Sequence, residues 1–224
     1  MMTRDVTLRK LVHLSMIPLL LLAAIAARGV GTSYDSIVAA APAAVQRFGI
    51  VAGESQVLYH VAETLFLEGN RFNVAVGTTT AVRGEITVDR ANPRNSRIGT
   101  ITIDISQFKS DSQRRDNFIR TRSLESARFP TAEFTPTTIQ GLPATYTDGQ
   151  EITLQVAGNL KIRDVVRPTT FATTIKIAGT QLTGAATTTI KMTDFGFDPP
   201  SIAGILRTEN EAKLEFRIVA RASQ

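Results

Sequence analysis

None of the 224 residues is a cysteine or a tryptophan, and only two are histidines; each scarcity removes chemistry. Without cysteine there is no disulfide framework, iron–sulfur cluster, thiolate zinc site, thiol nucleophile or lipid-modified N-terminal cysteine. His13 lies in an apolar N-terminal stretch, which leaves His60 as the one histidine of the domain that follows. Neither a histidine-rich metal site nor a two-histidine mechanism is expected, and the pattern calls for no cofactor. Charge of one sign is scarce too. Of the formal +5, the first 26 residues contribute +2 through Arg4, Arg9 and Lys10 against Asp5, and the remaining +3 gives no ground for nucleic-acid binding. Three tyrosines and no tryptophan cannot supply the aromatic girdles of an outer-membrane barrel. What is plentiful is apolar residue, 43% against 20% charged, the makeup of a folded protein.

Met1 to Lys10 is short and basic and runs into LVHLSMIPLLLLAAIAA, Leu11 to Ala27. That is the layout of a secretory signal, with Ala24-Ile25-Ala26 as a cleavage site. Residues 1–26 are therefore read as a signal peptide or an N-terminal membrane anchor. The protein is expected to be exported, to the periplasm, the extracellular space or the outer face of the cytoplasmic membrane. Residues 27–47, small and without a sustained period, read as a linker.

From Phe48 onward apolar and polar residues alternate at period two, the pattern of strands with one buried and one wet face. Ile86 and Val88 share a face in Glu85 to Asp89; Ile101, Ile103 and Ile105 do so in Arg97 to Ser106. Glu151 to Ile162 aligns Ile152, Leu154 and Val156, with a kink expected at Gly158 before Leu160 and Ile162. Phe171, Thr173, Ile175 and Ile177 align in the next run, and Leu214, Phe216 and Ile218 in the last. Turn chemistry separates them at Asn92-Pro93-Arg94-Asn95, Asp148-Gly149 and Ala178-Gly179-Thr180. About eight or nine strands joined by hairpins follow from this spacing, an all-β antiparallel fold. One stretch differs: Ser110-Asp111-Ser112-Gln113 has the form of a capping box. It predicts a short helical insertion near 110–128 that carries Phe118 and Ile119 inward. Pro130 then turns Phe129 out of the helical region, and a strand follows with Phe134 on its apolar face.

Four segments carry a family resemblance. Arg115-Asp116-x-x-Ile119, with Leu124-Glu125 and Phe129-Pro130-x-x-x-Phe134, is similar in type and spacing to the central motif of the YceI-like family of polyisoprenoid-binding proteins. So are Gly77 with Val82, Gly84, Ile86 and Asp89; Gly158-Asn159-Leu160-Lys161-Ile162 with Val166, Arg167, Pro168 and Phe171; and Thr193-Asp194-Phe195-Gly196 after Ile190. Together they span residues 48–222. The chain departs from the family where a histidine–serine pair and a second histidine usually stand. Glu54-Ser55 and ETLFLEGN, Glu63 to Asn70, occupy those places. The stretch through Phe197-Asp198-Pro199-Pro200 to Gly204-Ile205-Leu206 is also longer than usual.

The resemblance implies an extended lipocalin-like antiparallel β-barrel holding a long isoprenoid, such as a quinone tail or a polyprenyl phosphate, outside the cytoplasm. The inward rows Ile86, Val88, Ile101, Ile103, Ile105, Leu154, Val156, Phe171, Phe216 and Ile218, with Phe118 and Phe134, would line the tunnel. Phe195 would plug one end, while Arg115, Asp116, Pro130, Asp194 and Gly196 hold structure. A ten-residue strand is about 33 Å long, and at a tilt of roughly 40° it gives a barrel only about 25 Å high. A long ligand therefore leaves its polar end near a rim, where Arg120 and Arg122 are the expected head-group contacts. A tether through the N-terminus and a homodimer are further partner readings. Asp194-Phe195-Gly196 matches the kinase magnesium motif but has none of its companion motifs. Nor does any nucleophile and base pair stand out, so a binding protein is expected rather than an enzyme. The competing readings are a close-packed core and an exported stress-protective or interaction domain without lipid.

Overall fold

The computed structural model describes residues 44–223. The signal or anchor and the linker up to residue 43 lie outside the described residues. Thirteen antiparallel strand segments form one sheet. They are β1 (Val45–Ile50), β2 (Gln56–Leu65), β3 (Arg71–Thr79), β4 (Val82–Arg83), β5 (Glu85–Asp89), β6 (Arg97–Ile98) and β7 (Ile101–Asp104). After the helical insertion come β8 (Thr131–Gln140), β9 (Glu151–Ile162), β10 (Val165–Ala178), β11 (Gln181–Lys191), β12 (Ser201–Ile202) and β13 (Leu206–Ala222). The strand β1 takes in Val45 to Arg47, paired with Thr87 to Asp89, so the domain starts earlier than the composition indicates.

The count exceeds nine because strands are interrupted where they change partners. β4 and β5 are two halves of one strand broken at Gly84: Val82 pairs with Ile103 of β7, and Ile86 pairs with Phe48 of β1. Strands β7 and β1 are the two ends of the series β7-β8-β9-β10-β11-β13-β1. One broken strand thus joins both ends, and the sheet curls into a barrel. The run Arg97 to Ser106, expected as a single strand, is divided for the same reason. β6 pairs with β5, β7 pairs with β4 and β8, and a turn at Ile105–Gln107 follows, in which the Asp104 carboxylate accepts the Ser106 N–H at 3.0 Å.

No kink occurs at Gly158. Burial alternates without a break from Ile152 through Leu160 to Ile162, with Gly158 itself on the inner face. The irregularity falls on the partner strand, where the register of β8 shifts between Pro136 and Thr138. Proline cannot donate to a ladder, so the strand that carries it takes the bulge. The two-residue hairpin Gly179-Thr180 forms as expected, with Ala178 facing Gln181 and Gly179 at φ +57°.

The insertion holds α1 (Gln113–Phe118), followed by a π-turn over Ile119–Ser123. Its cap is Ser112, whose hydroxyl accepts the Arg115 N–H, and not Ser110. Both the N–H and the hydroxyl of Ser110 donate instead to the Asp116 carboxylate, at 2.9 and 2.6 Å. A hydrogen bond to a charged acceptor is the stronger one, and it draws Ser110 away from the helix end. The chain returns to the sheet at Pro130, whose carbonyl accepts the Ile105 N–H.

Candidate functional site

The inward rows of the strands do not fill the barrel. They enclose a cavity of about 620 Å³, within the roughly 300–1,000 Å³ typical of small-molecule sites. Ile86, Val88, Ile101, Ile103, Ile105, Phe134, Leu154, Val156, Phe171, Phe216 and Ile218 all line it. Phe134 and Phe171 meet edge to face at 4.8 Å in its wall. Phe118 lines it too but is 36% exposed, so it stands at the opening and not inside. Phe195 does not line it. At 2% exposure it is packed into the core beneath the turn Met192–Phe195, and Phe197 takes the lining position. Asp194 is exposed, and Gly196 closes that turn in the left-handed conformation at φ +77°.

At one end, the mouth is framed by the β2–β3 turn and by α1. Glu68, Arg71 and Asn73 from the first, and Asp111, Ser112, Arg114 and Arg115 from the second, line the same cavity. The inner strand row Val57, Tyr59, Val61, Glu63, Leu65 carries one charge, and that charge is 3% exposed. Glu63 is held by Asn73 at 2.7 Å and by Arg115 at 2.9 Å. Arg115 also pairs with Asp111, so one guanidinium ties the strand to the insertion. Burial works against the Arg115 charge; the Glu63 and Asp111 carboxylates more than offset it and hold the guanidinium above its ordinary value. Beside this group Tyr59 packs edge to face on Phe108 at 5.3 Å, and burial pushes its hydroxyl up to about 12. Its ring also explains Gly77, where a Cβ would fall 2.2 Å from Tyr59 Cε1.

The arginines are distributed otherwise than the sequence leads one to expect. Arg120 donates to the Asn117 side chain at 2.8 Å and to the Phe108 carbonyl, Arg122 is exposed, and neither lines the cavity. Because the helix starts two residues late, Arg114 and Phe118, spaced i and i+4, share the face turned to the mouth, while Arg120 and Arg122 fall in the π-turn. Asp116 is tied inside the insertion by Ser110, whereas Arg115 reaches out of it to Glu63 on β2. Arg163, which no sequence motif marks, joins three loops. It pairs with Glu125 at 2.6 Å and donates to the carbonyls of Ser123 and Gly196. Glu63 is marked in the sequence as a charge in phase with an apolar row; Arg163 offers no such signal, since its partners come from distant turns.

The opposite end is tied by Arg90, which reaches Gln46 and Asp148 at 2.8 Å each and lies 5.8 Å from the Tyr146 ring. Among the described residues no group of histidines or carboxylates is arranged to hold a metal ion. The site is an apolar space with a polar, charge-paired mouth beside the insertion.

Known proteins share this architecture. The chain aligns at 28% identity over 130 residues, 55% of its length, with UPF0312 proteins of two Pseudomonas putida strains, and it spans 64% of the length of those curated relatives. Among solved structures it resembles a polyisoprenoid binding domain from Saccharophagus degradans, with a TM-score of 0.59 and 14% identity over 80% of this chain and 99% of that one. BcnA of Burkholderia cenocepacia gives 0.57 and 17% over 76% and 98%. The YceI protein of Campylobacter jejuni gives 0.53 and 18% over 66% and 85%. At these identities the likeness is one of fold. A family model described as a YceI-like domain matches residues 50–220, nearly the whole barrel, and by that match the chain belongs to the YceI-like family.

Proposed function

We propose that the barrel holds a long apolar isoprenoid, of the quinone or polyprenyl phosphate type, and stores, carries or protects it outside the cytoplasm. The observation that carries this reading is the cavity of about 620 Å³ walled by aliphatic and aromatic rows. The fold shared with a domain that is described as polyisoprenoid binding supports it. Burial of chain is worth about 0.8 kcal/mol per methylene before ordering costs. A ligand of about forty carbons therefore offers more than the roughly 18–21 kcal/mol at which affinities saturate, so it need not be wholly enclosed. A sugar or nucleotide would leave its polar groups unpaired against these walls. The same reading makes the protein a binding protein and not an enzyme.

Protein purified from a membrane-bearing host is expected to release one apolar ligand per chain on denaturation, seen as a mass difference in native mass spectrometry. Protein that carries none, and takes up neither a quinone nor a polyprenyl phosphate when offered them, would favour a stress-protective domain without lipid. Export, which supports a role outside the cytoplasm, rests on the basic start and the apolar run to Ala27. A reporter fused to the C-terminus should be active in its exported form, and activity confined to the cytoplasm would refute this.

A further inference from the structure

Four of the eight large apolar side chains most exposed among the described residues stand at the cavity mouth, on the turn that frames it or at the start of the strand that follows that turn. Leu67 is 75% exposed and lies with Phe66 on the β2–β3 turn, Phe72, 67% exposed, follows on the outer face at the start of β3, and Phe118 stands at the mouth on α1. Single exposed apolar residues are ordinary, but a group around one opening marks a contact surface. The turn is built to hold this shape. Phe66–Glu68 forms a 3₁₀ turn, Gly69 and Asn70 both take left-handed conformations at φ +67° and +62°, and the Phe66 N–H is fastened to the Ile205 carbonyl at 2.8 Å.

Charge identifies the partner. The insertion from Lys109 to Arg128 carries six basic side chains against three acidic ones. Arg114, Arg120 and Arg122 enter none of the ion pairs among the described residues, and Arg114 lies at the mouth itself. Apolar side chains beside unpaired arginines are the complement of a bilayer with anionic head groups. A second copy of the chain fits less well. A two-fold contact would set each basic insertion near its own image, and juxtaposed like charges oppose association.

We propose that the β2–β3 turn, the start of β3 and the mouth-facing side of α1 dock the barrel on an anionic lipid surface, Leu67, Phe66 and Phe72 entering the head-group layer and Arg114 meeting the phosphates. This rests on the reading of the interior as a lipid site and deepens it: a long apolar chain can pass between bilayer and cavity without crossing water.

The natural chain has no cysteine, so a single introduced thiol labels one site. The full-length protein is made as Leu67→Cys and, separately, as Ala144→Cys, an exposed position in the loop between β8 and β9 at the other end of the barrel. Each is labelled with an environment-sensitive fluorophore. The apolar N-terminal segment is common to both and cannot account for a difference between them. With vesicles of equal parts phosphatidylglycerol and phosphatidylcholine, the Leu67→Cys label should shift to the blue and be quenched by a lipid-borne quencher, while the Ala144→Cys label stays in water. Adding Arg114→Glu and Arg122→Glu should weaken the Leu67→Cys response to vesicles at least tenfold without changing the melting temperature. Equal responses at both sites, or none at Leu67→Cys, overturn the proposal. So does a blue shift that follows protein concentration without vesicles, which would point to a dimer. The ligand mass is measured on the same preparations: ligand without docking sinks the docking surface alone, whereas docking without any ligand sinks the reading of the interior.

Discussion

Changing Ala186 to Trp should empty the barrel of its apolar chain while the melting temperature moves little. Ala186 lies on β11 opposite Thr173 on one side and Phe216 on the other, and its small side chain faces the cavity. In a close-packed core, added bulk forces side chains off their rotamers and typically costs about 1–3 kcal/mol. Here the indole enters open space and gains burial at roughly 25 cal/mol per Å² of apolar surface, which offsets much of the strain. It also stands across the path of any long ligand. Native mass spectrometry should show the wild-type chain loaded and the variant empty, and thermal melting should separate the two readings of the interior. A variant that loses several degrees of stability, from a parent that never carried ligand, would show that the rows are simply packed core. The variant Ile103→Trp attacks the same space from β7 and should behave alike.

An equally large effect, on folding instead of binding, is expected at Gly158. A Cβ there would fall 2.5 Å from the Thr135 carbonyl oxygen, 2.8 Å from Pro136 Cα and 2.8 Å from the Phe134 ring. Two of these are backbone atoms of β8, which is held between β7 and β9 and cannot withdraw without breaking a ladder. Overpacking of this kind is at the severe end of single substitutions, so Gly158→Ala should cost about 3 kcal/mol or more, or prevent folding. Gly49→Ala on β1 is the control, since nothing lies within 4 Å of its Cβ position. Denaturant melts of the two variants should differ widely; equal midpoints would mean that the β8–β9 pair tolerates the side chain and that the close approach does not constrain it.

The strand rows and the turns between them are legible in the sequence, because period-two alternation and glycine-bearing turns are local properties of the chain. Ile101, Ile103 and Ile105, or Leu154 and Val156, share a face whatever they pack against, and Gly179-Thr180 makes a hairpin from its own backbone. The family motifs are legible for a different reason: Gly77 and Gly158 mark places where a side chain or a backbone of another strand comes too close for a Cβ. What the period-two pattern does not hold is set by competing contacts and by how distant segments meet. Whether inward rows meet or stay apart depends on how the sheet closes, and closure rests on one strand broken at Gly84 that serves two partners. Which arginines reach the mouth depends on the first residue of α1: the hydrogen bond from Ser110 to Asp116 leaves the cap to Ser112, two positions later, and sets the exposed Arg114 at the mouth in place of Arg120 and Arg122. The polar group at the mouth joins Glu63 to Arg115 across 52 positions. A pair so distant in sequence is created only when the barrel brings β2 against the insertion.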